Sequence, residues 1–163
     1  MTTSTHTEEI TVMRDGLRLH GRIDAPQGEP KGPVVILMHG FMADLGYEPG
    51  SLLQQVSDQL VEAGFTSVRF DFNGRGNSDG SFANSDVCNQ VEDAIAVLNF
   101  VRDRFEPAEI SLLGHSQGGV IAGMTAGMYA DVVHSLVLLS PAASIKDDAL
   151  RGRVLGVPFD PYH

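Results

Sequence analysis

Glu109-Ile-Ser-Leu-Leu-Gly-His-Ser-Gln-Gly-Gly-Val-Ile-Ala122 is the stretch whose reading decides the fold. Residues 109–113 have the length and apolar content of a short buried strand, and residues 117–130 form a run of small and apolar residues of helical length. Between them lies Gly114-His115-Ser116-Gln117-Gly118, a G-x-S-x-G pattern. A chain that passes from strand to helix in so few residues must bend sharply. A serine at that bend is held with its hydroxyl above the sheet, and the flanking glycines remove the Cβ atoms that would collide there. Ser116 is therefore the candidate nucleophile. The helix that follows turns its amino terminus toward the hydroxyl. Its first-turn amides have no intrahelical partner, so the Gln117 N–H is available to a developing negative charge.

Working outward, Val34-Val-Ile-Leu-Met38 is uniformly apolar, as a strand covered on both faces would be, and it implies a parallel sheet. His39-Gly40-Phe41 follows it and so emerges at the carboxyl edge of the sheet, the edge that also carries Ser116. The Phe41 N–H can supply the second donor of an oxyanion hole. Ser51-Leu-Leu-Gln54 predicts a capping box at the start of a helix that Gly64 stops. Residues 66–72 place Val68, Phe70 and Phe72 on one face of a strand, and the glycine-rich loop 73–80 follows. Within it, 71–78 is expected to be an ordered turn in which Asp71 bonds its own backbone.

From Ser85 as N-cap, with Asp86 in the first turn, Val87, Val91, Ala94, Ile95, Leu98, Val101 and Phe105 form a helical stripe ending near Pro107. Residues 133–140 read as a further strand. At the amino terminus, 10–14 and 17–23 flank Asp15-Gly16 and predict a hairpin. The order after the hairpin is β, α, β, α, β, α, β, which calls for a doubly wound, mostly parallel α/β sheet preceded by an antiparallel pair. From Pro141 the pattern fades into what reads as a loop-rich excursion. Gly119, Gly123 and Gly127 recur every four residues and are expected to pack against the sheet.

The chain has 163 residues, 42% of them hydrophobic and 20% charged, which suits a folded domain. Eleven Lys and Arg against 21 Asp and Glu give a net charge of −10, so neither nucleic acid nor an anionic membrane is an expected partner. The first nine residues lack the apolar core of a secretion signal, and no apolar run approaches the roughly 18–20 residues of a membrane span; a cytoplasmic location is expected. The lone Cys88 excludes an internal disulfide and reads as a small buried residue. No cofactor or metal motif is present: in Gly74-Arg-Gly76-Asn-Ser-Asp-Gly80 the third glycine comes one place late for a dinucleotide fingerprint, and no glycine loop leads to a Walker lysine.

The hairpin, His39-Gly40-Phe41, Asp71-Phe-Asn-Gly74-Arg-Gly76-Asn-Ser78 and Gly114-His-Ser-Gln-Gly-Gly119, in that order, resemble an α/β-hydrolase. Within that superfamily, residues 69–80, His115-Ser-Gln-Gly-Gly119, and Ser140-Pro-Ala-Ala143 with Lys146-Asp-Asp-Ala-Leu150 resemble the cinnamoyl or feruloyl esterases. The resemblance implies residues 1–140 as the amino-terminal part of the hydrolase core and 141–163 as the start of a lid insertion, within which the chain ends. It implies acyl transfer: Ser116 attacks the carbonyl of a small ester, and the Phe41 and Gln117 amides hold the oxyanion. In this family a polar lid group meets the phenolic hydroxyl of a hydroxycinnamoyl substrate, and Asp148 is the candidate for that position.

The fold orders its triad as Ser, then Asp or Glu, then His. Of the histidines after Ser116, His134 is separated from the elbow by a helix and should lie at the opposite end of the sheet, while His163 is the final residue. His39 lies at the right edge but precedes the nucleophile and in the resembling family supports its loop. The chain is thus expected to lack both acid and base, to be weakly active or inactive on its own, and to self-associate through a sheet edge left uncovered. The alternative is a non-catalytic module of the same fold that binds a small acid or ester.

Overall fold

The computed structural model describes residues 5–28, 32–106, 109–154 and 157–158. Strands β1 (Thr5–Arg14) and β2 (Leu17–Pro26) form the predicted hairpin, longer than its apolar core because the polar residues 5–9 also pair along an edge strand. Asp15 and Gly16 both take positive φ, 47° and 82°, as a two-residue turn between right-twisted strands requires. Then come β3 (Val34–Met38), α1 (Leu52–Glu62), β4 (Thr66–Phe70), α2 (Val87–Phe105), β5 (Ile110–His115), α3 (Gln117–Met128) and β6 (Val133–Leu139). The sheet order is β1-β2-β4-β3-β5-β6, parallel throughout from β4 to β6 and antiparallel on the β2 side. The doubly wound expectation is met.

Both faces of the sheet are covered. Along β3, Val34, Ile36 and Met38 join the cluster beneath α2 and α3, while Val35 and Leu37 pack with Leu53 of α1 and Leu113 of β5. Each fully buried side chain of this size contributes roughly 1.5–3 kcal/mol, which is why the strand tolerates no polar alternation. Val68, Phe70 and Phe72 share the larger cluster, as their spacing predicts. The opposite face of β4 is polar yet buried. Arg69 pairs with Asp24 at 2.7 Å, and Ser57 Oγ donates to the same carboxylate at 3.1 Å and shares a 2.8 Å hydrogen bond with Ser67 Oγ, whose hydroxyl is the donor there.

Several boundaries differ from the sequence expectation for identifiable reasons. A 3-10 turn at Phe82–Asn84 draws in the Ser85 amide, so Asp86 rather than Ser85 caps α2 and forms a capping box with Asn89. Ser51 stands at the N-cap of α1 but makes no side-chain cap bond; its Oγ is buried against Gly46 without a partner. Residues 145–150, within the expected loop region, form a short helix α4 (Ile145–Leu150), which precedes a two-residue pairing of β7 (Arg153–Val154) with β8 (Val157–Pro158). Cys88 is exposed, because it lies off the Val87–Val91 stripe in the first turn of α2. A methyl group on Gly123 or Gly127 would meet nothing within 4 Å, so neither packs against the sheet; of the three only Gly119 is confined, by Pro141 and Gly114. Helix α3 is apolar on all sides, and Met124 and Met128 are exposed. Along β6, Leu136, Val137 and Leu138 are exposed as well. Among the described residues, no helix is long and apolar enough to cross a membrane. Pro107, Asp160 and His163 lie outside the described residues.

Candidate active site

Ser116 occupies the bend between β5 and α3 with φ 54° and ψ −120°, a backbone conformation that non-glycine residues rarely adopt. Its main chain is tied on both sides. The amide donates to Leu139 O at 3.0 Å, and the carbonyl accepts from the Gly119 and Ala142 amides, each at 3.0 Å. The half-buried side chain does not cap the helix and stays free for chemistry. Two glycines make the approach possible. A Cβ on Gly118 would lie 2.3 Å from Met38 O, and one on Gly40 would lie 3.1 Å from the Cβ of Ser116. Main chain therefore touches main chain where β3, β5 and α3 converge. Neither the Phe41 nor the Gln117 amide has a hydrogen-bond partner among the described residues. Both donors belong to segments packed at the Ser116 bend. The Gln117 side chain turns away, donating to Gln90 Oε1 of α2 at 2.8 Å.

The loop that carries Phe41 is held from beneath. His39 is buried, with Nδ1 2.8 Å from Gly40 O and Nε2 3.2 Å from the Phe72 amide. An amide can only donate, so Nε2 is the acceptor and Nδ1 carries the proton. Burial pushes the ring below the ordinary histidine range and keeps it neutral. With both nitrogens engaged, His39 supports the loop and cannot take a proton from Ser116. Asp71 grips the same loop further along: its carboxylate accepts from the Leu45 amide at 2.7 Å, from the Asn77 amide at 2.9 Å and from the Tyr47 hydroxyl. Arg69 holds the other side of the Leu45 residue, Nη1 donating to its carbonyl at 2.8 Å. The expected turn over 71–78 is present, with Arg75 N donating to Phe72 O at 3.0 Å, Ser78 N to Arg75 O at 2.9 Å and Ser78 Oγ to Asp71 O at 2.6 Å, while the Asp71 carboxylate also reaches beyond it to Leu45 and Tyr47.

His134 lies at the start of β6, 3.8 Å from Glu109 and at the far end of β5 from Ser116, as the helix length predicts. His20 pairs with Glu9, and His6 lies 3.9 Å from Glu8. Asp148 lies on α4, half-buried, and its carboxylate accepts from Ser144 Oγ at 3.3 Å. A cavity of about 310 Å³ opens beside the elbow, bounded by His39, Gly40 and His115 and running toward Asp44 and Leu52. A larger one of about 500 Å³ lies between β1 and α2, lined by Arg14, Glu92 and Phe100 rather than by residues of the elbow.

The fold and much of the sequence are similar to those of known proteins. Est1E from Butyrivibrio proteoclasticus, solved with ferulic acid bound, superposes with a TM-score of 0.84 at 33% identity over 94% of this chain and 61% of its own. A monoglyceride lipase of Rattus norvegicus is 30% identical over 132 residues, 80% of this chain and 41% of the lipase. A lysophosphatidylserine lipase of Danio rerio is 28% identical over 120 residues, 72% of this chain and 30% of the lipase. The chain spans about a third to a half of the length of the curated relatives it matches. The model of the family described as serine aminopeptidase, S33, matches residues 28–157, a span that takes in β3, the elbow and α4. The matched span covers most of the chain, and the chain belongs to the serine aminopeptidase S33 family, on an α/β-hydrolase fold.

Proposed function

We propose that this chain carries the nucleophile and oxyanion half of a serine carboxylic-ester hydrolase acting on hydroxycinnamate-type esters. The observation that carries the reading is the strained Ser116 bend with the Phe41 and Gln117 amides unpaired beside it. Ser116 Oγ adds to the ester carbonyl carbon while its proton passes to a base, and the carbonyl electron pair moves onto oxygen, where the two amides bind it. Collapse of the adduct breaks the bond to the alcohol, which leaves with the proton. Water then adds to acyl-Ser116 and releases the acid. Asp148 is the group proposed to meet the phenolic hydroxyl, since a single 3.3 Å bond leaves most of its acceptor capacity open. The likeness to Est1E supports the acyl class, and the two lipases support ester over peptide chemistry.

Among the described residues no histidine is hydrogen-bonded to Ser116 Oγ, and in this fold acid and histidine follow the nucleophile on later strands. The 163-residue chain is accordingly expected to acylate slowly and turn over weakly; losing a triad histidine can remove on the order of a millionfold in turnover. Incubation with p-nitrophenyl acetate and p-nitrophenyl ferulate, followed by peptide mass spectrometry, tests this. Slow acylation of Ser116, absent in Ser116→Ala and favouring the ferulate, is the expected result. No acylation at Ser116 overturns the nucleophile, and rapid Ser116-dependent turnover overturns the missing base. A second reading is a module of the same fold that binds a small acid. Ferulate that raises the melting temperature with no acylation selects it.

A further inference from the structure

Arg75 has the cationic head of its side chain on two aromatic faces at the rim of the site. Its Cζ lies 3.7 Å from the Phe82 ring centroid and 5.4 Å from that of Phe41, and the two rings are 5.6 Å apart. Phe41 and Phe82 are 54% and 46% exposed, so the rings present open apolar surface beside the guanidinium. No carboxylate stands within ion-pair distance of Arg75 among the described residues. This is unexpected in a chain of net charge −10 whose own turn holds Asp71 and Asp79. Both are committed elsewhere: Asp71 to Leu45, Asn77 and Tyr47, and Asp79 to Arg18 through two bonds of 3.0 and 3.1 Å.

Stacking on rings satisfies the charge in part but none of the in-plane N–H donors, whose planar fork matches a carboxylate or phosphate. The position matters as much as the charge. Phe41 is the residue whose amide is proposed to bind the oxyanion, and the guanidinium packs on the side chain of that same residue. Its field also reaches His39, whose ring it helps to hold neutral.

We propose that Arg75 is the anion-binding group of the substrate site. An ester whose non-reacting end carries a carboxylate or phosphate is held there by the guanidinium, with its chain lying over the Phe41 and Phe82 rings. Calling the bound molecule a substrate rests on Ser116 as nucleophile; the anion subsite itself does not.

Calorimetric titration of the full chain with monoethyl adipate, its neutral diethyl ester and the phosphonate ethyl 4-phosphonobutanoate tests the proposal. The expected result is about tenfold tighter binding of an anionic ester than of the diester, an advantage erased by Arg75→Gln and reduced by salt. The tighter of the two anionic ligands identifies the group recognised. In wild-type protein the Arg75 Nε–Hε resonance should shift with an anionic ester and not with the diester, a reading that does not depend on the variant folding. Equal affinity for diester and hemi-ester, a preference that survives Arg75→Gln, an unmoved Arg75 resonance, or no binding of any of the three overturns the subsite. Arg75-dependent anion preference without Ser116 acylation keeps the subsite and removes the esterase. Ser116 acylation indifferent to charge does the reverse.

Discussion

Replacing Asp71 separates the loop from the sheet without touching the nucleophile, and the structure sets the size of the effect. The carboxylate serves three donors, but their surroundings differ. Leu45 is fully buried, so its amide has no water to turn to when Asp71 is truncated, whereas Asn77 is exposed and Tyr47 half-exposed and can rehydrate. An orphaned buried amide costs about 1–3 kcal/mol and each of the two rehydrated partners about 0.5–1 kcal/mol, so Asp71→Ala should lose roughly 2–5 kcal/mol of folding stability. Asp71→Asn should lose less, about 1–2 kcal/mol. Its amide oxygen can still accept from Leu45, and its NH₂ can donate to the Tyr47 hydroxyl, leaving only the exposed Asn77 amide opposed. Urea unfolding followed by circular dichroism measures both. Because the Leu45 loop begins at His39 and carries Phe41, Ser116 acylation should fall further than stability alone predicts. The reasoning fails if Asp71→Ala costs under about 0.5 kcal/mol, or if Asp71→Asn costs as much as Asp71→Ala.

Gly118→Ala places a methyl 2.3–2.4 Å from the carbonyl oxygens of Met38 and His39, main-chain atoms that cannot step aside, and should cost about 3 kcal/mol or more, while Gly127→Ala, which meets nothing, should stabilise α3 by about 0.5–1 kcal/mol; thermal melts decide both. Burial and Asp71 raise the Tyr47 phenol above its ordinary 10.0, so the unfolded chain ionises first and stability should fall as pH rises past about 10, a loss that Tyr47→Phe diminishes in alkaline urea titrations. The sign is opposite at His39: its folded pKa is depressed, the unfolded ring takes up a proton below about 6.5, and stability should fall as pH drops through that value, less so in His39→Gln. The exposed apolar edge of β6 should drive association of the chain, so sedimentation is expected to show oligomers that Val137→Lys diminishes; a monomer at high concentration refutes this.

What was legible in the sequence was whatever short-range pattern governs. The uniform apolarity of β3, the stripe on α2, the Asp15-Gly16 turn and the elbow each need only neighbours along the chain, and all four stand where expected. Pairings across the chain were not legible. Arg69 alternates with Val68 and Phe70 in the manner of a solvated strand position, and only the fold brings Asp24 and Leu45 onto it. Asp93 falls among the apolar residues of α2 yet is fully buried, since Arg14 and Asn73 converge on it from 79 and 20 residues away. Within the candidate site, Gly40 lies against Ser116, because each sits at the end of an element whose direction the parallel sheet fixes. The grip of Asp71 on Leu45 and the stacking of Arg75 join loops, and no periodicity reports on loops.

The bend at position 116 strains the peptide rather than the hydroxyl. Alanine there would inherit the unfavourable dihedral angles unchanged, whereas glycine, indifferent to their sign, would relax them and release on the order of 1–3 kcal/mol. Ser116→Gly is therefore the one exchange at this corner that removes the reactive group and relieves the main chain together.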